Sequence, residues 1–133
     1  MVTLRRQIGN LGEKIALDYL KKQGYQILER NYQKPWGEID LIAQNKSQEI
    51  IFIEVKTKAV SQEKAEQKSK DHFLPEENVN WSKRKKLLRI AQTYLLEKRY
   101  SSETSWQIDV IAVELNLRQR KARLAHFKNA FWQ

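Results

Sequence analysis

A chain of 133 residues suits one domain with a modest hydrophobic core. Lys and Arg (25) outnumber Asp and Glu (16), and the resulting net charge of +9 favours polyanionic partners, nucleic acid first. The lack of cysteine excludes disulfide frameworks, thiolate zinc sites and cysteine nucleophiles and fits a cytoplasmic protein. No apolar run has the length of a membrane span, and no apolar stretch follows the first charged residues as in a signal peptide.

The first element is a helix over "QIGNLGEKIALDYLKKQG", where Ile8, Leu11, Ile15 and Tyr19 recur at spacings of three and four, with Gly24 placed to end it. "YQILERNYQ" alternates as a short strand. "GEIDLIAQ" and "EIIFIEVKTK" are two β-rich runs joined by "NKSQ", the pattern of a hairpin. From about residue 59 to residue 80 the chain is polar and charged, an insert long enough to suggest a functional or mobile connection. Ser82 is a candidate N-cap for a second helix through "KRKKLLRIAQTYLLEKR", with Leu87, Ala91, Tyr94 and Leu95 on one face. "WQIDVIAVEL" is a further strand, and "ARLAHF" can pair with it across the basic turn "NLRQRK". The expected architecture is therefore a single mixed α/β domain in the order α-β-β-β-α-β(-β).

Ionisable residues interrupt the most apolar of these strands. In "IFIEVKTK", Phe52, Glu54 and Lys56 share one face while Ile51, Ile53 and Val55 share the other. In "GEIDLIA", Glu38 and Asp40 share a face opposite Ile39 and Leu41. A hairpin turning around residue 47 sets Asp40 opposite Glu54, with Cβ atoms about 4.5–5.5 Å apart. Two half-buried carboxylates that close repel unless a cation compensates them. Lys56 in a structural ion pair is one answer, and a divalent metal is the other. A hard cation such as Mg²⁺ or Mn²⁺ takes oxygen ligands. With an ammonium beside it, such a site suits phosphodiester hydrolysis.

Asp40 followed by Glu54-Val55-Lys56 resembles the D-(x)n-(D/E)-x-K signature of the restriction-endonuclease-like nucleases. The segments "GEKIALDYLKKQGYQILERNY", "GEIDLIA", "IFIEVKTK", "KRKKLLRIAQTYL", "IDVIAV" and "HFKNAF" are similar, in order and over nearly the whole chain, to the YraN family of small bacterial proteins. That family is related to the archaeal Holliday-junction resolvases. The resemblance implies a restriction-endonuclease-like core and a Mg²⁺ or Mn²⁺ ion held by Glu13, Asp40 and Glu54, with Lys56 assisting the attacking water. It also implies DNA as partner and, because resolving a junction needs two sites about a two-fold axis, a homodimer. The departures are the polar insert and Lys58, which stands where an arginine is expected.

Other residues carry more than one reading. Glu13 lies beside the apolar stripe of its helix and faces either the sheet or solvent. Glu38 and Gln92 are candidates for supporting the metal ligands from outside. Lys83, Arg84, Lys85 and Lys86 crowd the first turn of the second helix, where the helix dipole disfavours cations, so bound phosphates would offset their cost. Together with Lys58 they are the candidate nucleic-acid-binding residues. Trp81 either stacks on a base or closes the helix entry. Asp109, in an apolar strand, reads as a buried hydrogen-bonding residue, and His72 and His126 lack metal-ligand spacing. Two functions compete: a metal-dependent, structure-selective DNA endonuclease, and a nucleic-acid-binding protein that keeps the nuclease scaffold without cutting. A membrane-surface role is disfavoured, because no helix joins a basic face to bulky apolar residues free of the core.

Overall fold

The structure, a computed structural model, describes residues 2–60 and 81–130. Helix α1 (Leu4–Lys22) leads into β1 (Gln26–Lys34), β2 (Gly37–Gln44) and β3 (Ile50–Val60). Helix α2 (Trp81–Glu97) precedes β4 (Trp106–Asn116) and β5 (Lys121–Phe127). The five strands form one sheet in sequence order. All neighbours are antiparallel except β3 and β4, which run parallel and pair from Ile50↔Trp106 to Val60↔Asn116. The expected α/β order is the observed one. Strand β3 continues to Val60, past the expected end at Lys58, and the rest of the expected insert lies outside the described residues.

Local chemistry explains the boundaries of α1. The Thr3 hydroxyl accepts a hydrogen bond from the Arg6 N–H at 3.2 Å, capping a free donor of the first turn. At the other end Gly24 adopts φ 91°, its N–H donates to the Lys21 carbonyl and the Tyr25 N–H donates to the Leu20 carbonyl. That pair of bonds is a Schellman stop, which the sequence predicted from the glycine. Helix α2 already begins at Trp81, so Ser82 is not its N-cap.

The sheet is covered on both sides, which explains why β3 and β4 read as nearly continuous apolar runs. On one side α1 contributes Ala16, Leu17 and Leu20 to a core with Leu41, Ala43, Ile51, Ile53, Ile111 and Val113. On the other, Leu87, Ile90, Ala91 and Tyr94 of α2 pack on Tyr32, Ile39, Ile42, Phe52, Ile108 and Val110. Phe52 is fully buried there, with edge-on ring contacts to Tyr94 and Trp106. The inward face of α1 differs from the expected stripe. Leu11 is exposed, and the helix instead buries Gly12 and Ala16, small residues that let it approach the sheet closely.

The β2–β3 hairpin turns where the sequence placed it. Its register runs from Gln44↔Ile50 to Leu41↔Ile53, symmetric about Ser47. Asn45 holds the turn: its side-chain oxygen accepts from the Ser47 and Glu49 N–H groups, while its amide donates to the Glu49 carboxylate. No helix among the described residues is long and apolar enough to cross a membrane.

Candidate functional site

The ladder between β2 and β3 stops at Leu41↔Ile53, so the next step, Asp40 facing Glu54, stands at the fork where the two strands part. Asp40 bridges the fork itself: its Oδ2 accepts a 2.7 Å hydrogen bond from the Val55 N–H. The strand alternation breaks at this residue. Ile39 joins the core under α2 and Leu41 the core under α1, so the expectation that these two share a face is corrected. The paired strand bends with it. Asn31, between the Arg30↔Leu41 and Tyr32↔Ile39 pairs, takes φ 52°, a left-handed conformation that asparagine tolerates better than most residues.

This kink redistributes the predicted site. Phe52, Glu54 and Lys56 do share the α2 side, as expected. There Glu54 Oε1 meets Lys83 Nζ, from the first turn of α2, at 3.2 Å, and Lys56 Nζ at 4.0 Å. Asp40 instead lines a cavity on the α1 side together with Glu13, Val55 and Thr57. The expectation that one face presents all four groups is therefore not met: two carboxyl groups reach the fork from the α1 side, and Glu54 with two amines reaches it from the α2 side. Among the described residues, no three Asp, Glu or His side chains are gathered closely enough to enclose an ion as they stand.

The groups nevertheless act on one another across the fork. Burial, and then the charge of Glu54, push Asp40 up to about 7 from an ordinary 3.8; Glu13 and Glu38 add to the rise, and the Val55 hydrogen bond opposes it. Burial also raises Glu13, against the pull of Arg30, with Glu38 and Glu54 contributing. Burial and the adjacent Lys83 amine lower the Lys56 pKa, while Glu54 and Asp40 resist. For Lys83 burial works against the charge, but contacts with Lys56 and Glu54 outweigh it, and its pKa rises. Asp40 and Glu13 are desolvated carboxyl groups whose pKa values rise in part through neighbouring carboxylates, and such oxygens suit a hard divalent cation. By the chemistry of their oxygens Glu13, Asp40 and Glu54 are a donor set of the kind a Mg²⁺ or Mn²⁺ ion takes, but the structure does not gather them around one point.

Glu13 is positioned by its neighbour. A Cβ at Gly12 would lie 1.9 Å from Thr57 Oγ1, so only glycine lets α1 seat against β3 at this point. Of the other predicted residues, Glu38 is exposed and accepts a hydrogen bond from Gln33 at 3.0 Å. Gln92, Lys58, Lys85 and Lys86 are exposed and Arg84 is half-buried. Lys83, a candidate for phosphate binding, contacts the Glu54 carboxylate. The side chain of Trp81 lies outside the described residues, as does His72.

One cluster has no counterpart in the sequence reading of histidine. Asp109, fully buried as expected, accepts hydrogen bonds from Gln107, from the Asn129 N–H and, at 2.7 Å, pairs with His126 Nε2. His126 Nδ1 in turn meets the Tyr19 hydroxyl at 2.8 Å. This chain ties β5 and the segment after it to α1 and satisfies the buried carboxylate.

Comparison with known proteins finds matches over most of the chain. Residues 12–113 match Uncharacterised protein family UPF0102, also called the YraN family. A UPF0102 protein of Alkaliphilus oremlandii is 37% identical over 128 residues, covering 96% of this chain and 100% of its own. UPF0102 proteins of Caldanaerobacter subterraneus subsp. tengcongensis and Clostridium botulinum are each 39% identical, covering 96% and 95% of this chain and 96% and 94% of theirs. Matching segments thus run from the helix that bears Glu13 through both strands of the fork and α2 into β4, and the chain belongs to the UPF0102 family.

Proposed function

We propose that the protein is a divalent-metal-dependent endonuclease acting on DNA, selective for branched or otherwise unpaired structure. What supports this reading above all is the effect of Glu54 on Asp40 across the fork. These are two half-buried carboxyl groups on adjacent strands, one raised to about 7 in part by the other, with two lysine amines beside Glu54. Such an arrangement costs folding energy and needs another explanation.

Glu13, Asp40 and Glu54 are the residues that would hold Mg²⁺ or Mn²⁺. When bound, the ion would lower the pKa of an attacking water and neutralise charge on the phosphoryl oxygens. The chain's own groups do the rest. Lys56 Nζ, 4.0 Å from Glu54 Oε1, is placed to orient the attacking water. Lys83 Nζ, kept charged, neutralises Glu54 in the free protein and is close enough to turn to a phosphoryl oxygen in a complex. The exposed Lys58, Lys85 and Lys86 attract the DNA backbone by charge, a contribution that weakens with salt.

A second reading is a nucleic-acid-binding protein on the same scaffold without cleavage. One observation favours it: the three carboxyl groups are not yet gathered, and Lys83 already neutralises Glu54. Cleavage of a panel of linear, single-stranded and branched DNAs, with Mg²⁺ or Mn²⁺ omitted and restored, separates the two. The enzyme reading expects metal-dependent products that Asp40→Asn abolishes while DNA binding persists; binding without cutting in every condition favours the scaffold reading.

A further inference from the structure

Helix α1 carries two glycines in its interior, at positions 9 and 12, although glycine is the worst helix residue after proline. Gly12 is explained by Thr57. Gly9 is not: among the described residues, a Cβ there would meet no atom within 4 Å. Packing therefore gives no reason for its missing side chain. What lies beside it is a cavity of about 460 Å³, within the range of about 300–1,000 Å³ typical of small-ligand sites. Gly9 stands one helical turn before Glu13, so any side chain added there would project over the same wall.

The lining states the chemistry of the occupant. Leu4, Ile8, Val55 and Ala59 supply apolar walls, Thr57 and the carboxyl groups of Glu13 and Asp40 supply hydrogen-bonding groups, and the exposed Arg5 supplies a cation. A flat group with apolar faces and amino donors on its edge suits these walls, with a phosphate near Arg5. A phosphate set directly against the carboxyl groups, with no cation between them, does not. We infer that this cavity receives one unpaired nucleobase of a DNA strand whose backbone passes the Asp40–Glu54 fork, and that Gly9 lacks a side chain to leave room for it. The inference rests on the reading of the fork as a nucleic-acid site, and it supplies that reading with a source of selectivity. A base stacked and paired in a duplex cannot enter, whereas one already unpaired at a branch, end or single strand enters without the cost of extrusion.

The test uses the full chain with labelled methyl groups, titrated with single-stranded heptadeoxyadenylate and with a blunt hairpin duplex. The Ile8, Val55 and Leu4 methyl resonances are expected to shift with the single strand and not with the duplex. Gly9→Leu is expected to fold, to lose these shifts and to bind the single strand about fivefold or more weakly, the worth of one stacked base. Should Gly9→Leu fail to fold, Gly9→Ala, which improves the helix, is expected to weaken single-strand binding in the same direction while raising the melting temperature. Equal methyl shifts with both DNAs, unchanged binding by the folded variants, or contacts from these methyls in the free protein to chain segments beyond the cavity walls would overturn the inference. Methyl shifts without any cleavage leave the pocket standing and remove the nuclease reading; metal-dependent cleavage without the shifts removes the pocket alone.

Discussion

Lys83 Nζ lies 3.2 Å from Glu54 Oε1, closer than Lys56, which is on the same strand and 4.0 Å away. An amine delivered by the first turn of α2 thus already neutralises the carboxylate on which the proposed divalent ion would draw. Lys83→Met is predicted to tighten Mn²⁺ binding by up to about fivefold, the worth of a partly exposed ion pair. Lys56→Met should have a smaller effect on affinity. Calorimetric titration of the two variants with Mn²⁺ checks the ranking, and equal or reversed effects would remove Lys83 from the site.

The raised pKa of Asp40 makes stability depend on pH in a definite direction. In the unfolded chain the carboxyl group ionises near 3.8; in the folded protein it keeps its proton up to about 7. Between those values the folded state binds more protons, so this group's contribution to stability falls as pH rises through the window. Asp40→Asn removes the fall. It is predicted to be more stable than the parent at pH 8, by on the order of 1–4 kcal/mol, and about equal to it at pH 4. Urea denaturation of both proteins at the two pH values measures the difference. By the same linkage Mn²⁺ affinity should drop as pH falls below about 7, because the ion must displace that proton.

Gly12 and Thr57 form a contact that tolerates no added atom. Gly12→Ala is predicted to cost about 1–3 kcal/mol through overpacking, less the helix propensity gained. Because Glu13 is the next residue, the variant should also lose Mn²⁺ affinity. Thr57→Ala removes the nearest atom and should recover part of the loss, a coupling that a double-mutant cycle reads directly. Additive effects would show that the contact does not position α1.

Asp109 anchors a network, so its removal should act on folding and not on the fork. Asp109→Ala leaves His126, Gln107 and the Asn129 N–H without their acceptor and is predicted to cost about 1–3 kcal/mol or more. DNA binding at a temperature where the variant remains folded should be unchanged.

The position of Asp40 across from Glu54 was legible in the sequence because Asn45 builds a turn about Ser47 that fixes the register. Gly24 was legible for a similar reason, since a helix stop needs a residue that tolerates positive φ. The kink at Asn31 and Asp40 was not. It arises where a strand leaves one partner and keeps another, and no single-strand pattern encodes that. Leu11 looked like a core residue because spacing alone cannot distinguish a bulky apolar side chain at a helix edge from the small Gly12 and Ala16 on the contact line. The tie between Lys83 and Glu54 depends on where α2 starts over the sheet, a tertiary fact. The Tyr19–His126–Asp109 chain joins three elements distant in sequence, and the histidine's spacing carried no sign of it.

The most direct measurement is cleavage of a branched DNA by the purified chain, with and without Mn²⁺, compared with Glu54→Gln. The account predicts products only with the metal and a loss of about a hundredfold or more in the variant, corresponding to the several kcal/mol that a metal supplies. Equal cleavage by both proteins, or cleavage independent of metal, would contradict it.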